Sequence, residues 1–135
     1  MVLTIRAQGP EGGKKVLQDV RVQEILLKAQ LYEISTSLKL SSSDLLRFTE
    51  LYTSYFNEMR KAEKKPKRTP GKLSDADAEM IIKEDFSQAK RILNVRENYY
   101  EQFKTILSQV QILKMYDIER DINRKIIQEV EQRKR

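Results

Sequence analysis

Apolar residues recur every third or fourth position along four stretches of this chain, with Glu, Lys, Arg, Gln and Asn filling the gaps. The first stretch runs from about Val16 to Lys39 and places Val22, Ile25, Leu26, Ala29, Tyr32 and Leu38 along one side. The second, about Ser42 to Lys64, carries Leu45, Phe48, Tyr52, Tyr55 and Met59 in a 3-4-3-4 rhythm. The third, about Asp75 to Ile106, has Ala78, Ile82, Phe86, Ala89, Leu93, Tyr99, Tyr100 and Phe103. The fourth, about Gln109 to Glu131, has Ile112, Leu113, Tyr116, Ile122, Ile126 and Val130. This spacing predicts four amphipathic helices and an all-α fold. Four glycines and three prolines in the whole chain are too few to turn the strands of a β protein.

Three short motifs mark where helices begin. Leu40-Ser41-x-x-Asp44, Leu73-Ser74-x-x-Asp77 and Leu107-Ser108-x-x-Gln111 share one form, their serines 33 and 34 residues apart. Each serine is placed to serve as an N-cap, its hydroxyl accepting from a first-turn amide that has no partner within the helix. Gln111 is long enough to reach back and complete a capping box. Asp44 and Asp77 are short for that, and their charge favours the positive helix end instead. The leucine ahead of each cap is placed to staple onto the fourth helical residue. Leu40/Leu45 and Leu107/Ile112 suit that role, whereas Leu73/Ala78 is weak. A period near 34 also matches tetratricopeptide repeats, but these helices are about twice the length such a repeat uses.

The third helix sets the expected shape. About 32 residues at about 1.5 Å each make a rod of roughly 48 Å, longer than a compact globule of this mass is wide. It is expected to run on into the fourth helix as a bent arm, giving elongated hairpins with apolar surface open to a second copy or another protein. The sequence does not locate that protein-binding patch.

At 135 residues the chain suits one domain. The expected division is a flexible N-terminus over 1–15 and a single helical domain over 16–135, interrupted by a basic linker over 60–72. With neither histidine nor cysteine, the chain has no Cys/His zinc site, thiol nucleophile, Ser-His-Asp triad or disulfide. No apolar run approaches the roughly 20 residues of a membrane span. The net charge of +6 is local: Arg60–Lys72 holds seven basic residues and one acid, leaving 19 of each elsewhere. Nucleic-acid binding through that segment would depend steeply on salt. It has no aromatic side chain for base stacking, so a solvated linker is the expectation. Carboxylate pairs such as Glu84/Asp85 and Glu129/Glu131 lie on polar helix faces without a neighbouring nucleophile or glycine loop. No catalytic, cofactor-binding or metal-binding residue is assigned.

Two stretches resemble the Spy/CpxP-like periplasmic proteins named for their LTxxQ motif. They are closest to the Bacteroidota branch labelled as sensors of extracytoplasmic-function sigma factors. One is "LKLSSSDLLRFTELYTSYFNEMR", where the motif precedes Phe48, Leu51, Tyr52 and Tyr55. The other is "RENYYEQFKTILSQVQILKMYDIERDINRKI", where it follows Tyr99, Tyr100 and Phe103 and precedes Tyr116, Glu119 and Arg120. Serine replaces threonine in both, which preserves the cap, and Asp44 replaces the first glutamine. The resemblance spans about Val22 to Arg133. It implies long kinked helices, a cradle-shaped homodimer, no cofactor and a periplasmic location, with Met1–Ala7 as a signal remnant. It further implies a chaperone-like or stress-sensing binding protein whose partners are unfolded clients or an envelope-stress regulator. The alternative it leaves open is an adaptor docking on one anti-sigma factor or sensor ectodomain. Neither reading involves nucleic acid, membrane insertion or enzymatic activity.

Overall fold

Asp19 opens the first helix, its side chain accepting from the backbone N–H of Arg21 at 2.9 Å and of Val22 at 3.4 Å. The structure is a computed structural model that describes residues 19–66, 68 and 71–133. These residues form four α-helices and no strand: α1 Val20–Leu38, α2 Ser42–Glu63, α3 Asp75–Phe103 and α4 Gln109–Arg133. The expected N-terminal segment lies outside the described residues, as do the first three positions expected of the first helix and Lys67, Thr69 and Pro70 of the linker.

The helix ends have local causes. Lys39 ends α1 in the left-handed region (φ 52°, ψ 50°), its N–H donating to Thr36 O, and so turns the chain into α2. Helix α2 stops at Glu63 because Lys64 is extended. Helix α3 stops at Phe103, not at Ile106. The N–H groups of Thr105 and Ile106 reach back only three residues, to the carbonyls of Gln102 and Phe103, and this tighter winding ends the α-helix. The third and fourth helices are therefore separated by a five-residue turn, 104–108, and are not one continuous arm.

Two antiparallel pairs result. Helix α2 lies along α3, with Phe48 near Phe103, Tyr55 near Tyr99, and the Glu63 carbonyl accepting from Gln88. Helix α1 lies along α4, where Gln30 meets Asn123 and the Ser37 carbonyl accepts from Lys114. The pairs join around Phe48, Tyr52, Tyr55 and Phe103, whose ring centroids are 5.4–6.3 Å apart. Leu26, Ile34, Leu38, Phe56, Leu107, Ile112 and Met115 complete this core.

The apolar face expected for the first helix needs correction. Leu26 and Leu38 are buried, but Ile25 and Tyr32 are exposed, and the enclosed face runs Gln23, Leu26, Gln30, Ile34, Leu38. The helix carries two apolar arcs. The one that includes glutamines is enclosed, because the Gln30 amide finds polar partners inside.

Candidate functional site

The three leucine–serine motifs act as helix starts, each in a different setting. Ser41 caps α2, its Oγ accepting from the Asp44 N–H at 3.3 Å; no return bond from Asp44 is formed. Leu40 is half-buried against the core. Ser74 caps α3, accepting from the Asp77 N–H at 3.1 Å while the Asp77 carboxylate accepts from the Ser74 N–H at 3.3 Å. A full box thus forms where aspartate was expected to fall short: the turn brings the two backbones close enough for the shorter side chain. Leu73 stays exposed, as its small partner Ala78 predicts. Ser108 and Gln111 form the expected box on α4, at 3.2 Å and 2.9 Å. Leu107 and Ile112 are buried on either side of it. Ser108→Ala is expected to lower stability by about 1 kcal/mol, read as a drop in the denaturant midpoint; an unchanged midpoint removes the cap from the account.

Helix α3 is where the arrangement departs most from a self-sufficient bundle. Asp85 sits opposite Lys65, just past the end of α2, with their side chains 2.9 Å apart. The first ten residues of α3 thus run on beyond its partner. Further along, polar contacts join the seam with α2 before the ring contacts of Tyr99 and Phe103 take over. Gln88 Nε2 donates to Glu63 O at 2.6 Å, and Arg91 reaches both Glu84 and the Lys64 carbonyl. Half-buried Ile92 and Val95 lie on this side of the helix, while Ile81 faces the linker residues Lys65, Pro66 and Arg68. The more apolar side points elsewhere: Ile82 is 52%, Phe86 63% and Leu93 54% exposed. Positions 82, 86, 89 and 93 share one helix face, so Ala89 joins them in a continuous stripe about three turns long. Tyr100 continues that face, and its hydroxyl donates to Gln109 at the start of α4. Lys83 and Lys90, both exposed, flank the stripe.

Open apolar surface was expected on this long helix without a position, and the structure places it at Ile82, Phe86 and Leu93. Helix α2 meets α3 through the neighbouring face, where the Lys65–Asp85 ion pair and the Gln88 and Arg91 hydrogen bonds help fix the register. The pairing also neutralises part of the basic linker, since Lys65 is held by Asp85.

A second polar site lies inside the junction of the two helix pairs. The Glu119 carboxylate of α4 receives the Tyr55 hydroxyl at 3.2 Å, and the Tyr52 hydroxyl oxygen lies 2.7 Å from its other oxygen. Tyr52 also lies 2.8 Å from Gln30 Oε1, and Gln30 Nε2 donates to Asn123 Oδ1 at 3.0 Å. Arg96 of α3 stacks over the Tyr116 ring at 4.8 Å. Burial pushes the Glu119 carboxyl above the usual glutamate range; the tyrosine hydrogen bonds and Arg96 pull the other way without cancelling it. Burial, reinforced by Glu119, likewise raises the Tyr52 and Tyr55 hydroxyls, which stay protonated. The sequence reading missed this cluster. Spacing puts Tyr52 and Tyr55 on an apolar face, Glu119 enters only as part of the motif resemblance, and Gln30 is not singled out at all.

Among the described residues no group of three or more acids is placed to hold a metal ion, and no helix is long and apolar enough to cross a membrane. No family model, curated protein or solved structure matches the chain.

Proposed function

We propose that this protein is an exported, cofactor-free helical binding protein of the cell envelope, chaperone-like or stress-sensing. Its partners are other proteins, either unfolded clients or an envelope-stress regulator, and it works as a homodimer in the periplasm. The motif resemblance supplies the compartment and the dimer. The observation that carries the binding role is the open Ile82–Phe86–Leu93 stripe on α3. An apolar row of this length, left uncovered on a helix whose other face already packs on α2, is a surface for another polypeptide. Lys83 and Lys90 beside it would speed encounter with acidic or acid-flanked segments. Such an activity needs no nucleotide and no reacting group.

The test is suppression of aggregation of several chemically denatured client proteins, without nucleotide. Protection at near-stoichiometric protein across unrelated clients is the expected result. Inactivity on every client, together with capture of one stoichiometric partner from envelope extract, would replace this reading with that of a dedicated adaptor.

A further inference from the structure

Tyr52 has one hydroxyl hydrogen, yet its oxygen is 2.8 Å from Gln30 Oε1 and 2.7 Å from Glu119 Oε2. Two bare acceptors cannot both be satisfied by one hydrogen at these distances, so a neighbour must supply a second. Two arrangements satisfy every atom. In the first, Glu119 is protonated: its Oε2–H donates to Tyr52, Tyr52 donates to Gln30 Oε1, and Gln30 Nε2 donates to Asn123 Oδ1. In the second, Glu119 is ionised and Tyr52 donates to it. The Gln30 amide then turns over so that Nε2 donates to Tyr52, and the Asn123 amide turns over so that Nδ2 donates to Gln30 Oε1. The two differ by one proton released to solvent and by two amide reversals, with heavy atoms otherwise in place. Tyr55 donates to Glu119 Oε1 in both.

We infer that Glu119 is a protonation latch: its neutral carboxyl holds α4 to α1 and α2 where the two helix pairs meet. Loss of the proton reverses the hydrogen-bond chain and leaves a carboxylate charge enclosed among Tyr52, Tyr55 and Gln30, and the cost of enclosing that charge is what loosens the junction. The inference stands independently of the proposed binding role, to which it would add control over how the two pairs open.

The surroundings set the direction. Tyr52 and Tyr55 face the carboxyl from α2, Arg96 acts on it from α3, Tyr116 and Asn123 flank it on α4, and α1 contributes the uncharged Gln30. Arg60 and Glu63 of α2 line the same small cavity. Burial outweighs the groups that favour the charged form, so the folded state holds this proton more tightly than the unfolded chain does. Stability from this group is therefore complete below the ordinary glutamate range and is lost as pH rises through the raised folded-state value. The latch is closed on the acid side.

The test combines a carbon-13 NMR titration of the side-chain carboxyls of the full chain with a distance measurement. Spin labels at Lys83→Cys and Lys125→Cys, on α3 and α4, report the separation of the pairs in a chain that has no cysteine of its own. Glu119→Gln mimics the protonated arrangement, since its amide can both donate to Tyr52 and accept from Tyr55. The expected result is a Glu119 midpoint above those of the surface glutamates. The inter-label distribution should broaden over the same pH interval in the parent and stay narrow in Glu119→Gln. A Glu119 midpoint among the surface acids, or broadening that is absent from the parent or equal in both proteins, overturns the latch. Tyr52→Phe, which cuts the chain at its middle, serves if Glu119→Gln does not fold. It should move the Glu119 midpoint further up, and an unmoved midpoint overturns the proposal. Neither readout involves a client, so failure here is distinct from failure of the binding role.

Discussion

Phe103→Ala is expected to lower the unfolding free energy by about 3–5 kcal/mol, the usual cost of deleting a fully enclosed aromatic ring. Phe103 has no exposed surface. Its ring centroid lies 6.0 Å from Phe48, 6.3 Å from Tyr52 and 5.6 Å from Tyr55, the last edge to face. It is also the last residue of α3, where the chain turns toward α4, so the cavity would open at the joint between the two helix pairs. Collapse into that space is blocked by three rings already packed on one another, which favours the upper half of the range. Phe86→Ala supplies the control. It removes the same atoms from the same helix at an exposed position, where substitutions usually change stability by within about 0.5 kcal/mol. Denaturant midpoints of the two variants, measured side by side, check the difference. Equal midpoints would mean the core is not where these contacts place it.

Replacing Ile82, Phe86 and Leu93 together by glutamine is expected to remove at least tenfold of the client-holding activity while leaving the helix content and midpoint almost unchanged. Each side chain is more than half exposed, so folding gains little from it. Covering an apolar side chain with a partner is worth up to about 1.5–3 kcal/mol when burial is complete. Three partial burials together exceed the roughly 1.4 kcal/mol that a factor of ten requires. Glutamine is a good helix former, so α3 survives the exchange. Light scattering of an aggregating client gives the activity, and circular dichroism gives the helix content. Full protection by a well-folded triple variant would detach the stripe from the binding role. Loss of protection with loss of helix would show instead that the stripe supports the fold.

The four helices and their starts were legible because their causes are local. Ser41, Ser74 and Ser108 cap from within one turn, and the 3-4 rhythm of Phe48, Tyr52 and Tyr55 admits one buried face. Pairing was not legible, because α1 and α3 each carry two faces that are apolar enough to bury. On α1 the decision falls to Gln30, whose amide is satisfied only by Tyr52 and Asn123, 22 and 93 residues away. On α3 it falls to the Lys65–Asp85 ion pair, the Glu63 and Lys64 carbonyl contacts and the ring contacts of Tyr99 and Phe103. Spacing along one helix contains neither. The Glu119 cluster was hidden for the same reason: a single glutamate among the many acids of α4 looks like any solvated residue until three other helices close around it.

Helix α3 is gripped near Phe103 and held less and less toward Asp75. Its 29 residues span roughly 44 Å at about 1.5 Å per residue. Such a rod is a lever. A tilt of about 10° at the gripped end would sweep the far tip through roughly 8 Å, given that rise per residue. Any rearrangement around Glu119 that tilted α3 at its gripped end would be amplified along that length into a displacement of several ångströms at the Asp75 tip.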